Sequence, residues 1–304
     1  SYRRHRQRAM SNASVVLVFA LPGNEALAAA LARELHAATG ELAVRRFPDG
    51  ETYLRFVTPV KGCKVVLACS LHNPDAQAMP LLFAAATAKE LGAAAVGLVT
   101  PYLGYMRQDK RFNDGEAVTS ALFARLLSPH IDWLVTVDPH LHRWHLLDDI
   151  YSVPSTVVPA APLLAAWIKT NIPSPVLIGP DAESEQWVSA VAREAGAPHV
   201  VLEKIRRGDR DVSVSIPDPQ VLRGRTPVLV DDIISTGRTM IAAAKHALAQ
   251  GLPAPVCIGV HAVFAGDAHE ALLAAGAARV VTTNTIPQKT AAIDINAVVA
   301  AAVA

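Results

Sequence analysis

Short valine-rich runs recur along the chain, and each precedes a stretch rich in alanine and leucine. The runs begin at Val15, Val65, Ala95, Trp133, Val176, Val228 and Val256. Strand-like runs that alternate with helical stretches are typical of parallel sheets covered by helices on both faces. The apolar fraction is 51% but aromatic residues are only 5%, which favours small-residue helices on sheets over an all-β barrel. The pattern therefore predicts an α/β fold.

The chain also repeats itself. The segment Val15–Gly40 resembles the segment Pro175–His199. About fifty residues after the start of each comes a second pair of similar segments, which begin at Lys64 and Thr226. Matching order and spacing indicate two copies of one α/β unit, each with a mainly parallel sheet flanked by helices.

We place the boundary between the two units in the proline-bearing stretch Val153–Pro162. This predicts an N-terminal domain over residues 10–160 and a C-terminal domain over residues 161–304. The final helix is predicted to begin at about Ala291, and it can pack back on the first domain.

The charge balance and the cysteines narrow the class of protein. The 28 Lys and Arg residues against 27 Asp and Glu residues leave a formal charge of +1, which gives no general attraction to nucleic acid or to an acidic membrane. Cys63, Cys69 and Cys257 form no CxxC pair, which indicates a reducing cytoplasm rather than a disulfide framework. No apolar segment reaches the roughly 18 residues that a transmembrane helix needs.

The N-terminal segment has two interpretations. Its basic start, followed by the apolar run Ser14–Leu21, is similar to a secretory signal. However, the run is rich in β-formers, ends in the turn Pro22-Gly23-Asn24 and leads into a periodic helical stretch. We therefore interpret it as the first strand, turn and helix of the fold.

The most informative segment is VLVDDIISTGRTM, Val228–Met240. A strand-like run leads into Asp231 and Asp232, then into a small polar turn, then into an alanine-rich helix. Such a turn directs backbone N–H groups and hydroxyls to one point at a helix N-terminus, as a phosphate monoester requires. The two acids can hold sugar hydroxyls or a cation. The alternative is a turn that only caps the helix.

This turn resembles the phosphoribosyl diphosphate (PRPP) loop of type I phosphoribosyltransferases and of PRPP synthetases. Other segments resemble the synthetases in particular, namely RRFPDGETYLRF from Arg45, PYLGYMRQDKRF from Pro101, VTVDPHLHRWHLLDDIYSVP from Val135, GPDAESE from Gly179, LEKIRRG from Leu202 and TNTIP from Thr283. The segments follow the family's order from Val15 to Pro287, which makes the set far more specific than any single match. The chain thus resembles the ribose-phosphate diphosphokinase (PRPP synthetase) family, and its loop wording is closest to the archaeal-type branch.

The resemblance implies two type I phosphoribosyltransferase-like domains with the active site at their junction. The implied reaction is attack of the anomeric hydroxyl of ribose 5-phosphate on the β-phosphorus of Mg-ATP, which forms PRPP and releases AMP. The expected partners are therefore ATP and ribose 5-phosphate, with Mg²⁺ as cofactor and with neither nucleic acid nor membrane. Because the family's adenine segment reaches a neighbouring subunit's site, a homo-oligomer built from dimers is also expected.

The same resemblance assigns roles to individual residues. Lys204 and Arg206, in a flexible catalytic loop, would stabilise the transition state, and His140 and Asp181 would ligate Mg²⁺. Magnesium prefers oxygen ligands, so His140 can instead act through a hydrogen bond to a phosphate. The ATP-binding residues would be Phe47, Asp49, Glu51, Arg107, Gln108 and His140, and the ribose 5-phosphate-binding residues would be Asp231, Asp232, Ser235, Thr236, Gly237 and Thr239.

Alternatives stay open at this point. Phe47 can be an ordinary core residue, and the LEKIRRG segment can be a solvated basic turn. The cluster His140, His142 and His145 admits a zinc site, although neither a cysteine nor an HExxH motif accompanies it. Two other functions compete with the synthetase: a plain type I phosphoribosyltransferase, which the loop alone favours, and a non-catalytic homologue that regulates a true synthetase.

Overall fold

The computed structural model describes residues 14–207, 211–216 and 218–303. Within them the first half of the chain forms one six-stranded sheet and one hairpin. Its elements are β1 (Val16–Ala20), α1 (Glu25–Glu34), β2 (Ala38–Thr39), β3 (Leu42–Arg46), β4 (Thr52–Phe56), β5 (Lys64–Ala68), α2 (Pro74–Glu90), β6 (Ala95–Val99), α3 (Thr119–Leu127), β7 (Trp133–Val137) and β8 (Ser155–Val158). The strand order of the sheet is β2-β1-β5-β6-β7-β8, and every pairing is parallel. Strands β3 and β4 form a separate antiparallel hairpin.

The second half follows the same plan. Its elements are α4 (Ala161–Asn171), β9 (Pro175–Gly179), α5 (Glu185–Ala195), β10 (His199–Val201), β11 (Glu203–Arg207), β12 (Asp211–Ser215), β13 (Thr226–Ile234), α6 (Arg238–Ala249), β14 (Val256–Ala262), α7 (Ala268–Ala274), β15 (Arg279–Thr283), β16 (Ala291–Ile293) and α8 (Asn296–Val303). The parallel sheet has the order β10-β9-β13-β14-β15-β16, and β11 and β12 form the equivalent hairpin. The predicted α/β fold with two similar parallel sheets is confirmed.

Helix α5 illustrates how an apolar helix face covers a sheet. In α5 the buried residues are Val188, Val191, Ala192 and Ala195, a spacing that puts them on one side of a helix. The helix ends where Gly196 adopts a φ of +65°, a left-handed conformation that costs glycine little. The central strands are buried on both faces, whereas such helices are buried on one. This explains why valine-rich runs alternate with alanine- and leucine-rich stretches in the sequence.

Three apolar clusters form the core. One lies on the α2 and α3 side of the first sheet, and another on the α6 side of the second. The third is continuous between the two sheets and includes Val18 and Val135 of the first, Val228 and Ile258 of the second, and Leu164 of α4. The two sheets therefore pack into one body through the helices between them.

The end of the chain differs from the prediction. A helix was expected from about Ala291, but Ala291–Ile293 is strand β16, which pairs in parallel with β15. Helix α8 begins at Asn296, whose backbone N–H donates to the Asp294 carboxylate at 2.8 Å. The alanines favour a helix locally, but pairing with the sheet edge overrides that preference.

The division at residue 160 stays a prediction, and the structure supplies support for it. The first sheet ends at Val158, and α4 packs mainly against α5 of the second half. Helix α8 lies against α1, β7 and β8 of the first half. No helix in the described ranges is long and apolar enough to cross a membrane.

Candidate active site

A cavity of about 370 Å³ opens where the carboxyl ends of β7, β9 and β13 come together. Ligands of open α/β sheets bind at such strand ends because the loops there face a common crevice. Here two sheets contribute, so the cavity lies at the junction of the two halves. Its lining residues are Arg107, Asp138, Pro139, His140, Leu141, His142, Val157, Pro180, Asp181, Glu183, Ser184, Trp187, Asp231, Asp232, Ile233 and Thr239.

The floor of the cavity carries the pair Asp231 and Asp232, which continue strand β13 beyond its apolar part. Asp232 accepts a hydrogen bond on Oδ2 from Nδ1 of His140, at 2.9 Å, although 92 residues separate the two in the chain. The backbone N–H of Asp232 donates to Oδ1 of Asp231 at 2.8 Å. Residues predicted to bind ribose 5-phosphate and ATP are thus brought into direct contact.

The two carboxyl groups differ in their electrostatics. Burial, together with the negative charge of Asp232, raises the pKa of Asp231 well above its ordinary value. Burial would also raise the pKa of Asp232, but hydrogen bonds from His140 and Asp231 outweigh it and lower that pKa below its usual range. Asp232 is therefore the member of the pair that carries the charge most readily, and a cation or sugar hydroxyls would relieve the repulsion between them.

Asp181 begins the turn after β9. Its Oδ1 accepts from the backbone N–H of Ser184 at 3.1 Å and so caps the short 3₁₀ helix Ala182–Ser184. The next acid, Glu183, lies with Oε2 3.9 Å from Nδ1 of His142 across the cavity. The cap fixes Asp181 at the carboxyl end of β9, and Asp181 lines the same cavity as Asp231 and Asp232.

The predicted phosphate loop joins β13 to α6. The carbonyls of Ile234 and Ser235 accept backbone N–H groups of residues 264 and 265 at 2.9 Å, which ties the loop to the segment after β14. Gly237 has a φ of +70° and precedes the first turn of α6, so the chain changes direction there. Thr239 lines the cavity, whereas Ser235, Thr236 and Gly237 form the adjoining turn and are not among its lining residues.

The predicted ATP-binding residues fall into two groups. Arg107 and His140 line the cavity. Gln108 follows Arg107 but holds the start of α3, because its carbonyl accepts from the backbone N–H of Ser120 at 3.3 Å and from its hydroxyl at 3.1 Å.

Phe47, Asp49 and Glu51 form the tip of the β3–β4 hairpin and do not line the cavity of their own chain. Phe47 is 39% exposed and packs edge-to-face on Tyr53 with ring centroids 5.8 Å apart. Phe47 is therefore not a core residue.

The backbone of Lys204 and Arg206 belongs to β11, opposite Val214 and Val212 of β12. Their side chains lie outside the described part of the structure, so the predicted catalytic role rests on the sequence.

Several lining residues were not predicted. Asp138, directly after β7, accepts on Oδ2 from the backbone N–H of Ala160 at 3.0 Å and from the Trp187 indole at 3.4 Å. Its φ of +32° is left-handed, and burial raises the pKa of its carboxyl group. Within the described residues, no group of three His, Cys, Asp or Glu side chains is arranged to hold a metal ion, so nothing there supports the zinc interpretation.

Comparison with known proteins agrees with this architecture. Residues 16–130 match the N-terminal domain of ribose phosphate pyrophosphokinase, and residues 148–295 match the phosphoribosyl transferase domain. A ribose-phosphate pyrophosphokinase of the archaeon Methanothermobacter thermautotrophicus is 33% identical over 93% of this chain and 98% of its own length. The chain belongs to the ribose-phosphate pyrophosphokinase family. The resemblance predicted from its motifs is confirmed.

Other ribose-phosphate pyrophosphokinases support the same assignment. That of Halobacterium salinarum is 34% identical over 86% of this chain and 92% of its own length. The crystal structure of phosphoribosylpyrophosphate synthetase from Mycobacterium smegmatis superposes with a TM-score of 0.83, at 25% identity, over 95% of this chain and 98% of that one. The similarity therefore covers both halves of the chain.

Proposed function

We propose that this protein is an enzyme that transfers the diphosphoryl group of ATP to the 1-hydroxyl of ribose 5-phosphate, giving PRPP and AMP. The observation that carries the proposal is the His140–Asp232 contact, which joins the predicted ATP side of the cavity to the predicted sugar side. A transfer between two substrates needs both within one water-excluding cleft, and a cleft between two packed sheets provides that arrangement.

Ribose 5-phosphate would bind on the β13 side of the cavity. The N–H groups and hydroxyls of residues 235–239 would hold its 5-phosphate at the start of α6, a 12-residue helix whose dipole favours an anion. Asp231 and Asp232 would accept hydrogen bonds from the ribose hydroxyls. The anomeric hydroxyl would then face the opposite wall, where Arg107 and His140 lie.

ATP would bind on that opposite wall. Arg107 would bind its phosphates, while His140, whose Nδ1 donates to Asp232, would keep the lone pair of Nε2 for the magnesium ion that accompanies them. Lys204 and Arg206 would reach the transferred group from the β11–β12 hairpin and stabilise the charge that develops on it.

The chemistry of the cleft suits magnesium, although no three described acid or histidine side chains are arranged in advance as an ion site. Carboxylates such as that of Asp181 are the ligands that Mg²⁺ prefers, and the ion commonly completes its shell with phosphates and water, so ATP would supply the remaining ligands. Asp181 and His140, which line the same cavity, would be its protein ligands. When bound, the ion would neutralise charge on the transferred diphosphate.

The position of the hairpin tip favours a homo-oligomer. Phe47, Asp49 and Glu51 do not line their own cavity, as expected if they complete the adenine site of a neighbouring subunit. Mixing an inactive Phe47→Ala subunit with an inactive Arg206→Ala subunit would test this. Random mixing should restore about a quarter of wild-type activity, because half of the dimers contain one intact site of two; no recovery would show that each site is made by one chain.

We place the enzyme in the cytoplasm. All three cysteines are free, and burial raises the pKa of Cys69 and Cys257 to about 12. Buried thiols of this kind react slowly, and free cysteines are typical of a reducing compartment.

The activity is tested by measuring AMP release from Mg-ATP with and without ribose 5-phosphate. The proposal requires release that depends on the sugar phosphate. A plain phosphoribosyltransferase would release no AMP from ATP and would instead consume PRPP with a base. A regulatory homologue would be inactive alone and would change the activity of a true synthetase added to it.

A further inference from the structure

His261, in strand β14, is a histidine that the proposed chemistry does not use. Its side chain is buried, with 1% of the residue exposed. Nε2 lies 3.1 Å from the backbone carbonyl oxygen of Asp138, and Nδ1 lies 2.9 Å from Oγ1 of Thr285. The ring therefore connects the loop after β7, in the first half of the chain, to the segment after β15, in the second.

The two contacts determine where the ring proton lies. A carbonyl oxygen can only accept, so Nε2 carries the hydrogen and donates it to Asp138. Burial lowers the pKa of His261 to about 4, which keeps the ring neutral and leaves Nδ1 as an acceptor for the Thr285 hydroxyl. The Thr285 hydroxyl also lies 3.1 Å from the carbonyl oxygen of Val260, but the Thr283 hydroxyl lies closer to that oxygen, at 2.6 Å, and donates to it. The single proton of the Thr285 hydroxyl is thereby left for Nδ1 of His261.

Asp138 has a backbone conformation that is rare for a residue other than glycine. Its φ of +32° is in the left-handed region, which is disfavoured for residues with a side chain. Three further bonds hold it: its N–H donates to the carbonyl of Val158 at 3.1 Å, and its carboxylate accepts from Ala160 and Trp187. Of these contacts, those from Trp187 and His261 come from the second half of the chain.

The turn at Asp138 determines the direction in which the chain leaves β7. Two residues later comes His140, whose ring meets Asp232 of the second half. A bond from His261 to the Asp138 carbonyl therefore acts on the peptide that leads to His140. The second half of the molecule therefore holds this loop through His261 and contacts its histidine, His140, through Asp232.

A second buried contact holds Thr285, the residue whose hydroxyl contacts Nδ1 of His261. The hydroxyl of Ser70, at the end of β5, donates to the carbonyl of Thr285 at 2.5 Å, and the backbone N–H of Tyr102 donates to that hydroxyl at 3.0 Å. The ring of Tyr102 packs on the imidazole with centroids 5.0 Å apart. Tyr102 of the first half thus packs on the ring of His261, and Ser70 of the same half holds the backbone of Thr285, whose hydroxyl contacts Nδ1.

We propose that His261 is a positioning residue for the transfer reaction: by donating from Nε2 to the Asp138 carbonyl, it fixes the left-handed turn that aligns His140 with Asp232. The inference rests on the proposed function, in which that pair joins the two substrate sites. His261 touches neither substrate in this account and acts through the backbone of Asp138. A displacement of about 1 Å in such a site is enough to reduce turnover about a hundredfold.

The test compares His261→Gln with His261→Asn. The longer glutamine amide reaches the position of Nε2 and can donate to Asp138, whereas the asparagine amide reaches only the position of Nδ1. Both are neutral and polar, so a requirement for a buried polar group alone would affect them alike. We expect kcat to fall at least tenfold in His261→Asn, and to recover to within about threefold of wild type in His261→Gln.

A second pair of variants controls for stability. Thr285→Val removes the hydroxyl that holds Nδ1, whereas Thr282→Val removes an equally buried hydroxyl, bonded at 2.8 Å to Thr290 but not to His261. With thermal stability measured for both, Thr285→Val should lower kcat and Thr282→Val should not. The proposal would be overturned if the two variants of each pair lost activity equally, in proportion to their loss of thermal stability.

Crystal structures of the His261 variants separate this inference from the function itself. In His261→Asn the His140–Asp232 distance should exceed the 2.9 Å of the present structure, and in His261→Gln it should be restored. An unchanged distance in His261→Asn would overturn the positioning role whether or not the enzyme makes PRPP. If the wild-type protein released no AMP in response to ribose 5-phosphate, the proposed function would be contradicted. The distance in the variant structures would still test whether His261 positions His140.

Discussion

Nδ1 of His140 lies 2.9 Å from Oδ2 of Asp232, and this bond joins the loop after β7 of the first sheet to strand β13 of the second. His140 extends from the first half of the chain and Asp232 from the second. The side chains are partly exposed, by 21% and 31%, so they form the floor of the cleft and not part of the buried core. A ligand that enters the cleft therefore meets groups from both halves at once.

The neighbouring histidines should differ sharply in importance. His140→Ala removes the bond to Asp232 and the group proposed to hold Mg-ATP, so we expect kcat to fall about a hundredfold or more. His142 packs edge-to-face on the same ring but is 40% exposed, and its contact with Glu183 is long, with Nδ1 3.9 Å from Oε2. Exposed polar contacts contribute at most about 1 kcal/mol, so His142→Ala should lower kcat less than about fivefold. Steady-state kinetics of the two variants would decide, and equal losses would contradict the assigned roles.

The phosphate loop can be tested through Gly237. Its φ is +70°, and an added Cβ would meet Leu272 only at ordinary contact distances of 3.5 Å or more, so Gly237→Ala would strain the backbone without a clash. We expect a stability loss of about 1 kcal/mol and a raised KM for ribose 5-phosphate. Gly224→Ala is the matched control, because its φ is +68° and nothing lies within 4 Å of the added atom. Similar stability losses with a KM effect in only Gly237→Ala would support the loop; a KM effect in both would count against it.

The buried imidazole predicts how stability changes with pH. Burial lowers the pKa of His261 from 6.5 to about 4, so between these values the unfolded chain takes up a proton that the native chain does not. The free energy of unfolding should therefore fall as the pH drops through this window, by about 2 kcal/mol from this residue at pH 5. Urea unfolding of wild type and His261→Gln at pH 7.5 and pH 5 would measure it. The variant should lose less stability on acidification, and an equal loss would show that His261 does not titrate in this way.

Much of the fold follows from local patterns. The valine-rich runs predict the buried strands, and the Asp231-Asp232 acids before a small polar turn predict a site at the end of β13. These signals are local because strand burial and helix N-termini are properties of consecutive residues. Strand β16 was missed because Ala291–Ile293 resembles the alanine-rich helices elsewhere, and only its pairing with β15 makes it a strand.

The contacts that align the site could not be predicted in the same way. The His261–Asp138 bond joins residues 123 positions apart, and the His140–Asp232 bond joins residues 92 positions apart. Neither pair has a spacing that periodicity can detect. A histidine in the middle of a valine-rich strand was the one local signal of His261, because a buried ionisable group requires hydrogen-bonding partners.

The two cations that the sequence predicts to be catalytic should act on the rate rather than on binding. Lys204→Ala and Arg206→Ala are each expected to lower kcat by about a hundredfold or more, while the affinity for ribose 5-phosphate changes little. Charge that develops only in the transition state is stabilised by groups that the ground state does not need. Arg207→Ala, one position further along β11, is the control and should keep most of the activity. Parallel losses of kcat and of affinity would make Lys204 and Arg206 ordinary binding residues.

The central claim is that the cleft transfers an intact diphosphoryl group from ATP to ribose 5-phosphate. Phosphorus NMR of a reaction with Mg-ATP and ribose 5-phosphate tests it most directly, because it identifies both products at once. The account predicts AMP and PRPP in equal amounts, and neither when ribose 5-phosphate is left out. ADP with a singly phosphorylated sugar product, or AMP that appears without PRPP, would contradict it.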